Sequence, residues 1–146
     1  SAMVKSLLLQ GRAAAANWID FGAGLEDADA EVVRITEILS AMDSFDVVIL
    51  GMGGDSHTAS LFPCSIELPE GLSTTAPVLM TQPTTAPHRR ISLSKDRLLK
   101  TELGIIHLVG DSKLEVYKKA TAYADDDMHP ISHFAHHDQF SLWFAP

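Results

Sequence analysis

A chain of 146 residues, 46% hydrophobic and 21% charged, is long enough to bury a sizeable core as one domain and has the balance of an ordinary globular protein. Its formal net charge of −8 argues against non-specific attraction to nucleic acid or to an anionic membrane, but a few local cations could still hold a small anionic substrate. The single cysteine, Cys64, excludes an internal disulfide framework and suits a reducing compartment. The apolar runs are too short to cross a bilayer and no signal-peptide pattern opens the chain, so the expectation is a cytoplasmic protein.

In chain order the pattern alternates between helices and strands. Ala2 to Gln10 reads as a short helix with Gly11 as its C-cap. The run AAAANWIDFG is ambiguous, and Trp18, Ile19 and Phe21 could form a short strand. LEDADAEVVRITEILSAM is the clearest helix: Val32, Ile35, Leu39 and Met42 recur at helical spacing, and Glu26, Asp27 and Asp29 suit the positive end of its dipole. FDVVILG reads as a β-branched strand buried on both faces, and residues 64–75 as a loop. APVLMT and RISLS are strands, SKDRLLKTE a short helix, and GIIHLVG another strand. In DSKLEVYKKATAYA, Ser112 and Glu115 have capping-box spacing, with Leu114, Tyr117 and Ala120 on the inner face. QFSLWFAP is a closing strand, and Trp18 and Trp143 read as core. The expected fold is α/β: a Rossmann-like parallel or mixed sheet with helices on both faces, in one domain over 1–146.

Ligands of such sheets sit beyond the carboxyl ends of the strands. FDVVIL delivers the chain to that edge, where ILGMGGDSHTASLFPC follows. Gly51, Gly53 and Gly54 would let the backbone turn tightly and approach a ligand, presenting Asp55 and His57 at the crevice. Thr58 to Leu61 could begin a short helix whose free N–H groups face an anion. GMGGDS lacks the third glycine of the dinucleotide fingerprint and is not followed by the Gly-Lys-Ser/Thr of a P-loop. On spacing alone, a tight turn whose histidine caps a neighbouring carbonyl is an equal reading.

The residues also carry a resemblance. LGMGGDSHTASLFP resembles the signature Gly-x-Gly-x-Asp-Gly-His-Thr-Ala-Ser-Leu-Phe-Pro of the 6-phosphogluconolactonase family, matching at Gly51, Gly53, Asp55, His57 and every residue from Thr58 to Pro63. Related glucosamine-6-phosphate deaminases share the opening but continue Ile-Ala-Phe-Asn-Glu-Pro. Downstream, APHRRISLS resembles the family's approach to its Arg-Ile-(Ser/Thr)-Leu, with Arg90 on the arginine. IIHLVGDSK places Lys113 on the family lysine, and FSLWFAP resembles the closing strand. There are two departures. Ser56 stands where the family has glycine, a strain of about 1 kcal/mol if that position needs φ > 0. Family members also extend further at the N-terminus, with a glycine-rich sugar-phosphate loop and an Asp-Glu-Arg segment, so the expectation is a C-terminal portion with weak activity on its own.

The resemblance implies hydrolysis of 6-phospho-D-glucono-1,5-lactone to 6-phosphogluconate in the pentose phosphate pathway, with a small-molecule sugar phosphate lactone as partner. Nucleic acid, membrane, metal and cofactor play no part, and the full-length enzyme is expected to be monomeric. The alternatives are an isomerase or deaminase of the same superfamily, disfavoured by TASLFP, and a non-catalytic sugar-phosphate-binding module or inactive fragment. His57 is the expected base and Asp55 its orienting partner. Gly51, Gly53, Ser56, Thr58, Arg90 and Lys113 are expected to bind substrate. Backbone N–H groups from Ser56 to Ala59 would meet the oxyanion. Arg89 is a weaker third cation, because successive strand residues face opposite ways. His129, His133 and His137 recur at i, i+4, i+8, but Pro130 interrupts the run and a solvated surface segment is the favoured reading over a metal site. Asp125 to Asp127 read as a solvated turn, Cys64 as a packed thiol, and His88 and His107 as loop and strand residues.

Overall fold

The computed structural model describes residues 2–21, 27–85 and 88–146; the expectation for Leu25 and Glu26 falls outside them. The elements are α1 (Ala2–Leu7), α2 (Ala28–Ser40), β1 (Phe45–Leu50), α3 (Leu68–Ser73), β2 (Val78–Thr81), β3 (Arg90–Leu93), α4 (Lys95–Leu99), β4 (Thr101–Val109), α5 (Asp111–Ala120), α6 (Ser132–Ala135) and β5 (Phe140–Ala145). A parallel sheet runs β1-β4-β5, and β2 pairs antiparallel with β3 in a separate ribbon. The α/β class holds, with a parallel sheet flanked by helices.

Local chemistry explains most boundaries. Asp27 caps α2, its Oδ1 accepting from the N–H groups of Asp29 and Ala30 at 2.9 and 3.3 Å. Ser94 caps α4 by accepting from Arg97 N–H. Gly110 at φ +93 turns β4 into α5, so Ser112 lies inside the helix and forms no capping box. α1 stops at Leu7, short of Gln10; Gly11 does take the left-handed φ of +57, opening a 3-10 turn. Residues 16–20 contain no strand. The expected loop over 64–75 contains α3, which Pro69 can join because the first turn needs no N–H.

The main core joins Val48, Leu50, Ile106, Leu108 and Phe140 of the sheet to Leu68, Leu98, Ala120 and Phe134 of four helices. A second cluster of Ile35, Leu39 and Val78 seats α2 on the β2–β3 ribbon. Arg97 links the two regions: it is buried, its Nη1 donates to the Met42 and Asp43 carbonyls at 2.9 and 3.2 Å, and its guanidinium lies 4.0 Å from the Phe45 ring centroid.

β1 is buried on one face only, contrary to the expectation of a strand covered on both. Val48 and Leu50 enter the core, but Ile49 is 66% exposed and Val47 49%. Register puts Val47 beside Leu103, and Trp143 beside His107, on that same open face, where Trp143 is 56% exposed rather than core. Trp18 is likewise partly exposed. Strand composition could not reveal this, since β-branched residues suit an open face and a covered one equally. Among the described residues β1 also has a free edge, and an apolar edge invites pairing with another chain. We expect concentration-dependent association of the 146-residue chain, suppressed by Ile49→Lys without loss of the folded signal, measured by light scattering and circular dichroism. A monomeric mass at every concentration would contradict it.

Candidate active site

The chain leaves β1 at Gly51 and folds into a bonded turn over residues 51–61. Thr58 Oγ1 donates to the Gly51 carbonyl at 2.9 Å, Gly53 N–H to the His57 carbonyl at 2.8 Å, and Leu61 N–H to the Thr58 carbonyl at 2.9 Å. Thr58 to Leu61 is a tight turn with an isolated bridge rather than the start of a helix. The turn holds two non-glycine residues in the left-handed region, Ser56 at φ +65 and Ala59 at φ +50, each a strain of about 1–2 kcal/mol.

His57 and Asp55 meet as the sequence predicts. Asp55 Oδ1 lies 2.5 Å from His57 Nδ1 and also accepts from the His57 backbone N–H at 3.2 Å. A carboxylate can only accept, so Nδ1 carries the proton and Nε2 is left with a lone pair. Partial burial pushes the Asp55 carboxyl up, but hydrogen bonds from the His57 ring and backbone, with its charge, outweigh this and hold it below the usual carboxylate range. The His57 ring stacks on Phe62, centroids 3.9 Å apart at 24°, and the Arg90 guanidinium carbon sits 5.5 Å from the Phe62 centroid. Phe62 was legible only as an apolar motif residue; nothing in its spacing announced a ring contact with the histidine.

Only one of the three glycines is sterically demanded. A Cβ on Gly53 would lie 2.1 Å from His57 Nδ1 and 2.6 Å from Asp55 Oδ1, whereas Gly51 and Gly54 have open space around them and no left-handed φ. The turn therefore does not require glycine at 51 or 54, and the space there is what a closely approaching ligand would use.

The other expected ligands divide. Lys113, in the first turn of α5, donates from Nζ to the Met52 carbonyl at 2.8 Å, which brings it to the turn. Arg90 opens β3, and Arg89, just before the strand and so outside its alternation, lines the same cleft of about 350 Å³ with Ser60 and Glu31. Ser56 and Thr58 are fully buried, and their hydroxyls bond to protein, which removes their side chains as substrate ligands. The N–H groups of Ser56 and His57 are also bonded, to the Gly53 carbonyl at 3.1 Å and to Asp55, and Thr58 is wholly buried and bridged to Leu61, which narrows the oxyanion expectation to Ala59.

The histidine run behaves unlike either reading. His133 is 3% exposed rather than solvated, its Nδ1 2.9 Å from Asp125 Oδ1 and its Nε2 3.0 Å from Asp127 Oδ1, so these aspartates hold a buried imidazole. α6 is only four residues long, and the described residues contain no cluster suited to a metal ion. Cys64 is half-buried, its Sγ 3.3 Å from Thr85 Oγ1.

Two outcomes follow from the turn. Gly53→Ala should leave the protein folded but drive the imidazole off Asp55, read as a change in the His57 ring NMR signals, while Gly51→Ala leaves them in place. Because the Asp55 carboxyl is depressed in the folded state, its ionised form stabilises the turn at every pH above its unfolded value, near 3.8, and that support declines as pH falls through the folded value. Acid titration followed on the Asp55 and His57 signals should show the pair separating only below about pH 4, and Asp55→Asn should abolish this acid step.

The profile of the family described as glucosamine-6-phosphate isomerases/6-phosphogluconolactonase matches residues 1–143. A 6-phosphogluconolactonase of Pseudomonas putida is 33% identical over 141 residues, 95% of this chain and 58% of its own length. A crystal structure of a 6-phosphogluconolactonase from Shewanella baltica superposes with a TM-score of 0.88 at 41% identity, over 98% of this chain and 63% of that one. A monomeric glucosamine-6-phosphate deaminase superposes at 0.67 with 16% identity, a likeness of fold alone. The chain spans about three fifths of the length of these lactonase relatives. By the span of the profile and these identities, the chain belongs to the glucosamine-6-phosphate isomerase/6-phosphogluconolactonase family.

Proposed function

We propose that this chain carries the acid–base centre of a lactonase that hydrolyses 6-phospho-D-glucono-1,5-lactone to 6-phosphogluconate, in the cytoplasm and within the pentose phosphate pathway. The observation that carries the reading is the Asp55–His57 contact at 2.5 Å, which fixes the proton on Nδ1 and leaves Nε2 to take one from water. Water then adds to the lactone carbonyl, and the tetrahedral oxyanion meets the N–H group of Ala59. Its collapse breaks the ring C–O bond, and the proton on Nε2 passes to the departing ring oxygen, which becomes a hydroxyl. Asp55 keeps the ring in one tautomer and stabilises the imidazolium formed midway. Arg90 and Lys113 are the phosphate ligands, with Arg89 beside them. Gly51 lines the path of the sugar, and Gly53 makes room for the His57 ring beside it.

TASLFP after the histidine and the names of the relatives at 33–41% identity support lactone hydrolysis over the isomerase or deaminase reading. A non-catalytic binding module or an inactive fragment is the remaining alternative, because the chain spans about three fifths of the length of its lactonase relatives.

The test is turnover of the lactone, corrected for spontaneous hydrolysis, by this chain and by a version extended to the length of its relatives. His57→Ala should lower turnover about a hundredfold or more with folding intact, the usual size of a general-base contribution. Arg90→Ala should raise KM more than it lowers kcat, since the phosphate is remote from the reacting carbonyl. A folded His57→Ala protein with near-normal turnover would remove His57 from the mechanism.

A further inference from the structure

Ser56 occupies a backbone conformation that favours glycine, at φ +65, in the middle of the turn between Asp55 and His57. It is fully buried, and its surroundings tie it down from two directions. Ser56 Oγ donates to the Asp55 carbonyl at 2.5 Å. With its proton used there, the hydroxyl can only accept from His129, whose Nδ1 lies 2.9 Å away and must carry the hydrogen. The Ser56 carbonyl accepts from Ile131 N–H at 3.2 Å.

The segment that makes these contacts is itself braced. His129 N–H donates to the Asp126 carbonyl at 2.8 Å, and Ser132 Oγ accepts from Asp126 N–H at 2.8 Å. His133, between Asp125 and Asp127, pins the acidic turn, while Ile131 and Phe134 enter the core. A rigid block more than seventy residues away in sequence thus presents one imidazole N–H to the strained residue beside the candidate base.

We propose that His129 is a positioning residue for the reaction: by donating to Ser56 Oγ it holds Ser56 in the left-handed region, and this fixes the turn that sets the Asp55–His57 pair. Strained backbone persists only where the surroundings over-determine it, and here the over-determining group is a side chain tied to residue 56. With serine at 56 the anchor is required; with glycine, which enters this region freely, it becomes dispensable. The consequence for catalysis rests on His57 being the base, but the structural coupling does not, so the two can fail separately.

The experiment is a double-substitution cycle on the full chain, combining Ser56→Gly with His129→Ala. Thermal unfolding and the His57 ring NMR signals are the readouts. In the serine background, His129→Ala should lower Tm by about 3 °C or more and shift the His57 signals. In the Ser56→Gly background the same substitution should move Tm by about 1 °C or less and leave the His57 signals in place. His129→Asn, whose side-chain amide can donate from about the position of Nδ1, should restore both readouts with serine at 56. If His129→Ala does not fold, recovery of folding in the Ser56→Gly, His129→Ala protein supports the proposal and failure to recover overturns it. Equal effects in the two backgrounds, or a lowered Tm with unmoved His57 signals, would also overturn it. A His57→Ala protein of normal turnover would sink the catalytic reading and leave the cycle intact.

Discussion

The site depends on how closely an imidazole can lie against bare backbone. The His57 ring occupies the space a side chain on residue 53 would take, and only from there does Nδ1 reach the Asp55 carboxylate. That contact settles the tautomer, and the tautomer decides which nitrogen keeps a lone pair. The stack on Phe62 then fixes the ring plane, and the Arg90 guanidinium lies 5.5 Å from the centroid of that same Phe62 ring. The Asp55–His57 pair proposed as the acid–base centre is therefore a consequence of one close approach.

Such a turn does not hold itself by its own hydrogen bonds alone. Two of its residues sit in the left-handed region, where strained backbone persists only if its surroundings hold it. It is held from outside by side chains that reach it from separate parts of the fold: Lys113 onto the Met52 carbonyl and His129 onto Ser56. Beneath it, Met52, Leu61 and Phe62 are buried, so the turn rests on the same core that packs the sheet against its helices. The rigidity a catalytic pair needs is supplied by burial and by long-range tethers.

Much of this was legible in the sequence, for identifiable reasons. The helical spacing of Ile35 and Leu39, the acidic residues Asp27 and Asp29 at the start of that helix and the β-branched run at 45–50 each have one strong local interpretation, and the structure adopts it. Asp55 and His57, two apart beyond a strand end, could hardly avoid each other. What escaped was non-local. The open face of β1 depends on what lies opposite it, which no strand pattern records. The bond from His129 to Ser56, and the burial of His133 between two aspartates, join residues whose spacing resembles a surface helix until Pro130 breaks it. Ser56 itself was recognisable as a departure from glycine, but its compensation lay 73 positions away.

The central claim is that the Asp55–His57 turn, with Arg90 and Lys113, is where a sugar phosphate meets this chain. Titrating 6-phosphogluconate, the product of the proposed reaction, into isotopically labelled protein tests it most directly, with the signals of His57, Thr58, Ala59, Arg90 and Lys113 followed together. The account predicts that these five move in concert along one saturable binding curve, and that inorganic phosphate alone moves Arg90 and Lys113 but spares His57. Saturable binding that leaves His57 and both cations unmoved would contradict it.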